Sequence, residues 1–440
     1  MLEKFFKLSE HGTTLRTELT AGLTTFAAMA YVLAVNPAIL STTGMDVGAV
    51  ITATALASAL MTALMALLTN YPIALAPGMG VNAFFAYTIC QGMKMPWQAA
   101  LAMVFLNGAL FFVLSVTGIR RKIIDAFPFE LKVAITCGIG LFIAFIGLKN
   151  GHVIVSSDAT LVTAGDLGSP EALLVLFGVI LTAVLHWRKV RGAIILSVLA
   201  LTVVGFFVPG PADNGGALTQ LPEKVVDVPA SLAPTFLALD FQYVFAHFRE
   251  TLPLILAFLF VDLFDNMGTL IGVCNRAGLL DPHGNLPKIG RALAADATAA
   301  MVGSCLGTST VTSYIESAAG VEEGGRTGLT SLVVALCFLL ALFFHPIIRM
   351  IPAVATAPAL VIVGVFMMQG IAALHLKDFA KAVPAVLIML LMPLTFSISE
   401  GLAIGFVVYV AFKLGTGRGR EVSVTGYVLG AFFLAHLIWR

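Results

Sequence analysis

The sequence predicts an all-α polytopic membrane protein built as a seven-plus-seven inverted repeat, with short extended pieces and half-helices in its third and tenth segments. Three observations carry this expectation. Hydrophobic residues make up 59% of the 440 and charged residues 11%, with a mean hydropathy of +0.98, which is more apolar surface than a soluble core of this length hides. Apolar windows long enough to cross about 30 Å of hydrocarbon recur along the whole chain. Two short segments at matching places are interrupted by helix breakers.

The N-terminus, Met1-Leu-Glu-Lys-Phe-Phe-Lys-Leu8, has no small-residue cleavage site before the first apolar run and reads as a cytoplasmic amphipathic lead-in to Arg16. Spans are expected near 18–40, 48–70, 97–117, 130–149, 170–186, 191–208, 251–275, 291–306, 327–345, 354–374, 380–396 and 399–414; the interrupted pieces 71–90 and 307–322 bring the crossings to fourteen. Threading them places Arg120, Arg121, Lys122, Arg188, Lys189, Arg191, Arg276, Lys288, Arg291, Lys377, Lys381, Lys413, Arg418 and Arg420 on one side, the cytoplasm by the positive-inside rule. The opposite loops hold few basic residues and several acids, among them Asp158, Asp166, Asp213 and Asp227. Seven crossings on each side of the loop at 209–250 force the second half to start on the opposite face, which is an inverted repeat. The run from Val424 to Trp439 falls outside this scheme as a further crossing, an interfacial helix or a packed cap.

Interrupted segments at matching positions point to a transport site, because half-helix N-termini offer free N–H groups and a positive dipole end at mid-membrane. The first carries Pro72, Pro77, Gly78 and Gly80, then Asn82 in the first turn of a helix; the second runs from Gly307 through a Ser/Thr stretch to Ser313, Tyr314 and Ile315, with Glu316 opening the next helix. Asp262 and Asp265 stand in an otherwise apolar stretch between Leu254 and Cys274. A charge near a bilayer centre costs roughly 2.5–3.5 kcal/mol, so such acids mark substrate paths or proton relays, and at this spacing they share a helix face. A pocket of Asn82, Glu316 and, if its helix faces inward, Asp262, with Gly80, Ser313 and Ile315 at the breaks and Phe84, Phe85 and Tyr314 beside them, suits a small, flat, uncharged ligand with N–H donors on two edges. A nucleobase fits; anions fit badly against the acids.

Plainer roles stand beside these. Asp262 and Asp265 could be a helix-end pair, since Asn275 and Arg276 follow about three turns on. Glu316 could cap its own helix through the Ser313-x-x-Glu316 spacing, Asn82 could satisfy local backbone, and Phe84 and Phe85 could only pack. Glu322, Glu323 and Arg326 read as a loop with local ion pairs, and His152, His186, His283, His345 and His375 as solvated groups at loops or span ends. A net charge of +1 without basic runs argues against nucleic acid. The five cysteines show no ligand-like spacing, so neither disulfides nor a metal are expected. A metal-dependent intramembrane enzyme would need a second Asp-rich motif, and a channel a continuous polar pore. An anion, uracil or xanthine transporter of the same fold is the nearer rival.

Three stretches, Ala-Pro-Gly-Met-Gly-Val-Asn-Ala-Phe-Phe-Ala-Tyr (76–87), Phe-Val-Asp-Leu-Phe-Asp-Asn-Met-Gly-Thr-Leu-Ile-Gly (260–272) and Gly-Thr-Ser-Thr-Val-Thr-Ser-Tyr-Ile-Glu-Ser-Ala-Ala-Gly-Val-Glu-Glu-Gly-Gly-Arg-Thr-Gly-Leu-Thr (307–330), make the chain resemble the AzgA-like purine permeases of the nucleobase cation symporter-2 superfamily over nearly its whole length. The resemblance implies proton-coupled import of adenine, guanine or hypoxanthine across the inner (plasma) membrane, with the proton as coupling ion and no cofactor; a homodimer is compatible with it. It implies a core domain (1–117 and 251–345) and a gate domain (118–208 and 346–440) separated by an extracytoplasmic linker (209–250). Carried over, Asn82, Asp262 and Glu316 correspond to substrate contacts and Asp265 to a residue important for transport, while Asn266 stands where many members carry Thr. Asp262 or Asp265 is expected to take the proton and Glu316 to stay ionised.

Overall fold

The computed structural model describes residues 2–117, 126–210, 216–281, 286–374 and 377–438. Arg120, Arg121, Lys122, Asp213, His283, His375 and Trp439 lie outside the described residues. In the first half, α1 (Leu15–Met29) bends at Tyr31 into α2 (Val32–Leu40), followed by α3 (Val47–Thr69), β1 (Leu75–Pro77), α4 (Met79–Ala83) running into a π-helical turn at Phe84–Gly92, α5 (Trp97–Thr117), α6 (Phe129–Asn150), an exposed hairpin of β2 (Ile154–Ser157) and β3 (Leu161–Ala164), α7 (Pro170–Trp187) and α8 (Ala193–Val204). The second half repeats the order: α9 (Phe248–Arg276), α10 (Ile289–Leu306), β4 (Val311–Ser313), α11 (Ser317–Glu322), α12 (Gly328–Ala341, extended by further turns to Met350), α13 (Ala353–Met368), α14 (Phe379–Leu394) and α15 (Ile398–Gly415).

Among the described residues, nine helices are long and apolar enough to cross a membrane, and Ala193–Val204, Phe379–Leu394 and Val424–Ile438 are shorter. The segment expected at 191–208 is thus a helix of 12 residues, about 18 Å at 1.5 Å per residue and short of the hydrocarbon thickness. Helix starts follow local chemistry. Asp46 Oδ1 accepts from Ala49 N–H at 2.7 Å, and Ser169 and Ser397 cap α7 and α15 in the same way. Asn70, in the left-handed region at φ 62°, ends α3 and lets the chain turn into β1.

The two breaks pair with each other. β1 and β4 are antiparallel, with Leu75 opposite Ser313, Ala76 opposite Thr312 and Pro77 opposite Val311, and all six residues are buried. Neighbouring hydroxyls satisfy backbone the ladder leaves over. Thr62 Oγ1 accepts from Leu75 N–H at 2.8 Å, Ser317 Oγ accepts from Ala74 N–H at 3.0 Å, and Ser331 Oγ donates to Tyr71 O and Ile73 O at 2.9 Å. This is what permits extended backbone inside a helical bundle where water is absent.

The helices pack in two groups. In one, α10 lies against α5 and α3, and α12 against α3 and α1; in the other, α6 lies against α13 and α14, and α7 against α13 and α8. Gly140 and Gly364 bring α6 and α13 so close that a Cβ on either would strike the other's carbonyl oxygen, the small-residue contact by which membrane helices associate. The last helix, α16 (Val424–Ile438), packs along α15, with Phe433 against Phe406 and Phe260.

Candidate functional site

The crossed breaks open onto a cavity of about 60 Å³ lined by Gly78–Val81 of the first, Thr312–Glu316 of the second, Tyr31, Asp265 and Thr269. It adjoins a larger one of about 1070 Å³, and Asp265, Thr269, Ile315, Glu316 and Met367 line both. The inner part is too small for a drug-sized or bicyclic ligand, whose pockets run to several hundred Å³, so the shared boundary is where such a ligand meets both acids. Tyr31 hydroxyl donates to Glu316 Oε1 at 2.7 Å, which leaves Oε2 for another donor. Tyr314 hydroxyl donates to Pro77 O at 2.5 Å and so ties the second break to the first. At Gly80 a Cβ would collide with Ile139 Cγ2 of α6, so only glycine lets the two packing groups meet there.

Asp262 does not reach this cavity. It is 1% exposed and accepts from Asn107 Nδ2 of α5 at 2.5 Å. The reason is helical: positions three apart differ by about 60° around the axis, and the cavity and α5 lie on either side of that difference. Asn82 is likewise wholly buried behind the break, donating to Asn36 Oδ1 at 2.6 Å and accepting from Ser309 hydroxyl. Phe84 packs edge-on against Phe258 with centroids 4.9 Å apart. Of the residues expected to bind, Gly80, Ser313, Tyr314, Ile315 and Glu316 line the cavity, joined by Asp265; Asn82, Asp262 and Phe84 stand behind it. The capping role considered for Glu316 is absent, because Ser313 Oγ turns to both oxygens of Asp296 at 3.1 Å and Glu316 turns to Tyr31.

Several functional candidates escaped the sequence reading. Asp296, 1% exposed, is the one acid in an Ala-rich helix and carried the same signal as Asp262. Asn36 and Asn107 are amides within apolar helices; Asn36 Nδ2 also bonds Thr54 and Thr308. Asn266, marked in the sequence only as a departure from the family pattern, accepts from Thr312 hydroxyl through Oδ1 at 2.5 Å and fastens α9 to β4. Tyr31 carried no signal, since only the fold brings it across 285 residues to Glu316.

The larger cavity runs between the two packing groups to the end of the bundle bearing Lys189, Arg191 and Arg276. Two ion pairs flank its mouth: Arg191 with Glu323 at 2.5 Å and Arg276 with Glu322 at 2.9 Å. Arg326 instead donates to Val321 O and Gly325 O, and the His186 ring lies tilted at 46° against Phe366, centroids 4.7 Å apart. No group of three or more His, Cys, Asp or Glu among the described residues is placed to hold a metal. Chemically, the site offers two carboxylates as acceptors and the first turn of a half-helix as a source of N–H donors.

Comparison with known proteins agrees with this architecture. The permease family profile (Xan_ur_permease) matches residues 16–404. The adenine permease AdeP of Escherichia coli is 42% identical over 439 residues, covering 100% of this chain and 96% of AdeP. The guanine/hypoxanthine permease PbuG of Bacillus subtilis is 43% identical over 447 residues, covering 100% of each. Among solved structures, the transmembrane domain of a cyanobacterial bicarbonate transporter, BicA, superposes with a TM-score of 0.67 at 16% identity, covering 88% of this chain and 97% of that one, a likeness of fold alone. With its helical order, its crossed breaks and these relatives, the chain belongs to the permease family, in the AzgA-like branch of the nucleobase–ascorbate transporter superfamily.

Proposed function

We propose that the chain imports purine nucleobases by proton symport, through alternating access of a core domain (1–117 and 251–345) against a gate domain (118–208 and 346–440). The observation that carries this reading is the meeting of Glu316 and Asp265 at one cavity where both broken segments open. Purines present ring and exocyclic N–H groups on two edges; two carboxylates answer these, and N–H groups of the half-helix at Gly78–Val81 answer a ring nitrogen or carbonyl. An anion entering the same place meets two acids, which favours the purine over a bicarbonate-like substrate. The relatives named for adenine and for guanine/hypoxanthine support the class without ranking a 6-amino against a 6-oxo base.

With basic loops on the cytoplasmic side, the cavity mouth at Lys189, Arg191 and Arg276 supports reading this as an inward-open arrangement. A proton entering down the gradient contributes about 2.3 kcal/mol per 100 mV and about 1.36 kcal/mol per pH unit. At about 1.4 kcal/mol per tenfold ratio, one proton supports roughly hundredfold accumulation. Uptake of labelled hypoxanthine into proteoliposomes under an imposed pH gradient, competed by a panel of bases, tests the reading. Purines should compete and an inside-acid gradient should abolish accumulation; preferential competition by bicarbonate or uracil would overturn it.

A further inference from the structure

Behind the ligand-facing acids lies a second polar site that the reading above does not use. Asp262 and Asn107 are 1% and 0% exposed. Asn107 Nδ2 donates to Asp262 Oδ2 at 2.5 Å. The remaining oxygen of each, Asp262 Oδ1 and Asn107 Oδ1, is buried without a hydrogen-bond partner. A carboxylate is acceptor-only, and so is an amide oxygen, so neither can satisfy the other. An orphaned buried acceptor costs about 1–3 kcal/mol, and more when charged. One proton changes both facts at once. On Asp262 it removes the charge and supplies the missing donor, and acid and amide can then close a ring of two hydrogen bonds: amide N–H to acid oxygen, acid O–H to amide oxygen. Either assignment of the Asn107 amide atoms gives the same ring.

Along α9 the next charged residue is Asp265, one turn on and itself an acid. Among charged groups on helices packed against α9, Glu130 pairs with Lys381 at 2.9 Å, Lys413 with Glu421 at 2.6 Å and Glu322 with Arg276 at 2.9 Å, and Lys149 lies over the Phe396 ring. None of the ion pairs among the described residues involves Asp262.

We propose that Asp262 is held here as the neutral acid paired with Asn107, and that this pair is the proton site of the transport cycle, while Asp265 and Glu316 face the purine. The inference rests on the symport reading above and divides its labour: Asn107 is a positioning residue that stabilises the proton on Asp262. The step is a single proton transfer. In a conformation that opens the pair to the proton-rich side, an O–H bond forms on Asp262 as one breaks in hydronium, leaving water; in one that opens it to the other side, the O–H bond breaks as water takes the proton.

The test is infrared difference spectroscopy on the purified full-length protein, with transport by the same protein in proteoliposomes. The wild type should show the C=O stretch of a buried protonated carboxyl. Asp262→Asn should remove that band, keep hypoxanthine binding within about threefold, and reduce pH-gradient-driven accumulation to simple equilibration. Asn107→Leu, of similar volume, should keep the band but move it to higher frequency as the acid loses its amide partner, a change that a packing role would not cause. Absence of the band, its survival in Asp262→Asn, or a tenfold or larger loss of binding in that variant would overturn the proposal. If Asp262→Asn fails to insert, the Asn107→Leu shift alone decides. Wild-type accumulation indifferent to the proton gradient would instead sink the symport reading, and the band would still report on the pair.

Discussion

Asp262 and Asp265 stand three residues apart on one helix and live in different places. Asp265 is half-buried at the cavity boundary with Glu316 and the Tyr31 hydroxyl nearby; Asp262 is sealed against Asn107. The difference teaches that in a membrane helix the burial of an acid and its accessibility to ligand are separate properties. Both acids carry the insertion cost that makes such residues functional. Only the one whose side of α9 faces the breaks can exchange hydrogen bonds with an incoming molecule.

The largest effect that sharpens this contrast belongs to the ligand-facing side. Glu316→Gln removes a charged acceptor worth about 1.5–3 kcal/mol, so the dissociation constant for hypoxanthine should rise roughly tenfold to hundredfold by equilibrium binding in detergent. Unchanged binding would break the assignment. Gly80→Ala comes next. Its new methyl meets Ile139, and overpacking costs about 1–3 kcal/mol, so uptake should slow, with recovery in the Gly80→Ala/Ile139→Ala double variant. If the second change restores nothing, the two packing groups do not meet there during transport.

Asn82→Ala should act on stability more than on binding. It strips partners from Asn36 and Ser309 at about 1–3 kcal/mol, read as a lower melting temperature, with a smaller rise in dissociation constant than Glu316→Gln produces. An equal rise would move Asn82 into direct contact with the base. The smallest effect comes from an acid outside the membrane. Hydrogen bonds from Arg418 first and Lys413 second hold the exposed Glu421 carboxyl at about 2, down from its ordinary 4.5. A depressed carboxyl stabilises the fold above its unfolded value and loses that contribution as pH falls through the folded one. Glu421→Gln should therefore lower the melting temperature slightly at neutral pH, less so in high salt, and make progressively less difference as the pH falls toward 2.

Much of the fold was legible because the bilayer writes its demands into composition. Apolar windows, the two breaker-rich segments and the matching halves read directly, and β1 pairing with β4 is the physical consequence of leaving two breaks unsatisfied in one bundle. Part of the cavity lining was legible too: Gly80, Ser313, Tyr314, Ile315 and Glu316 all border it. The placement of Asn82, Asp262 and Phe84 behind it was not, nor was the short α8, whose apolar letters continue beyond the last helical residue, Val204.

What the sequence by itself determined is the class: a membrane-embedded inverted repeat with costly polar residues at two breaks and on one helix. These follow from local properties, the hydropathy of a window, a proline or glycine in a span, a charge among apolar neighbours. The tertiary structure alone decided which acid faces the cavity, that Tyr31 rather than Ser313 meets Glu316, that Ser313 goes to Asp296, and that Asn107 closes over Asp262. Each depends on the rotation of one helix about its axis against partners far away in sequence, and a turn of about 60° between positions three apart leaves no trace in the order of residues.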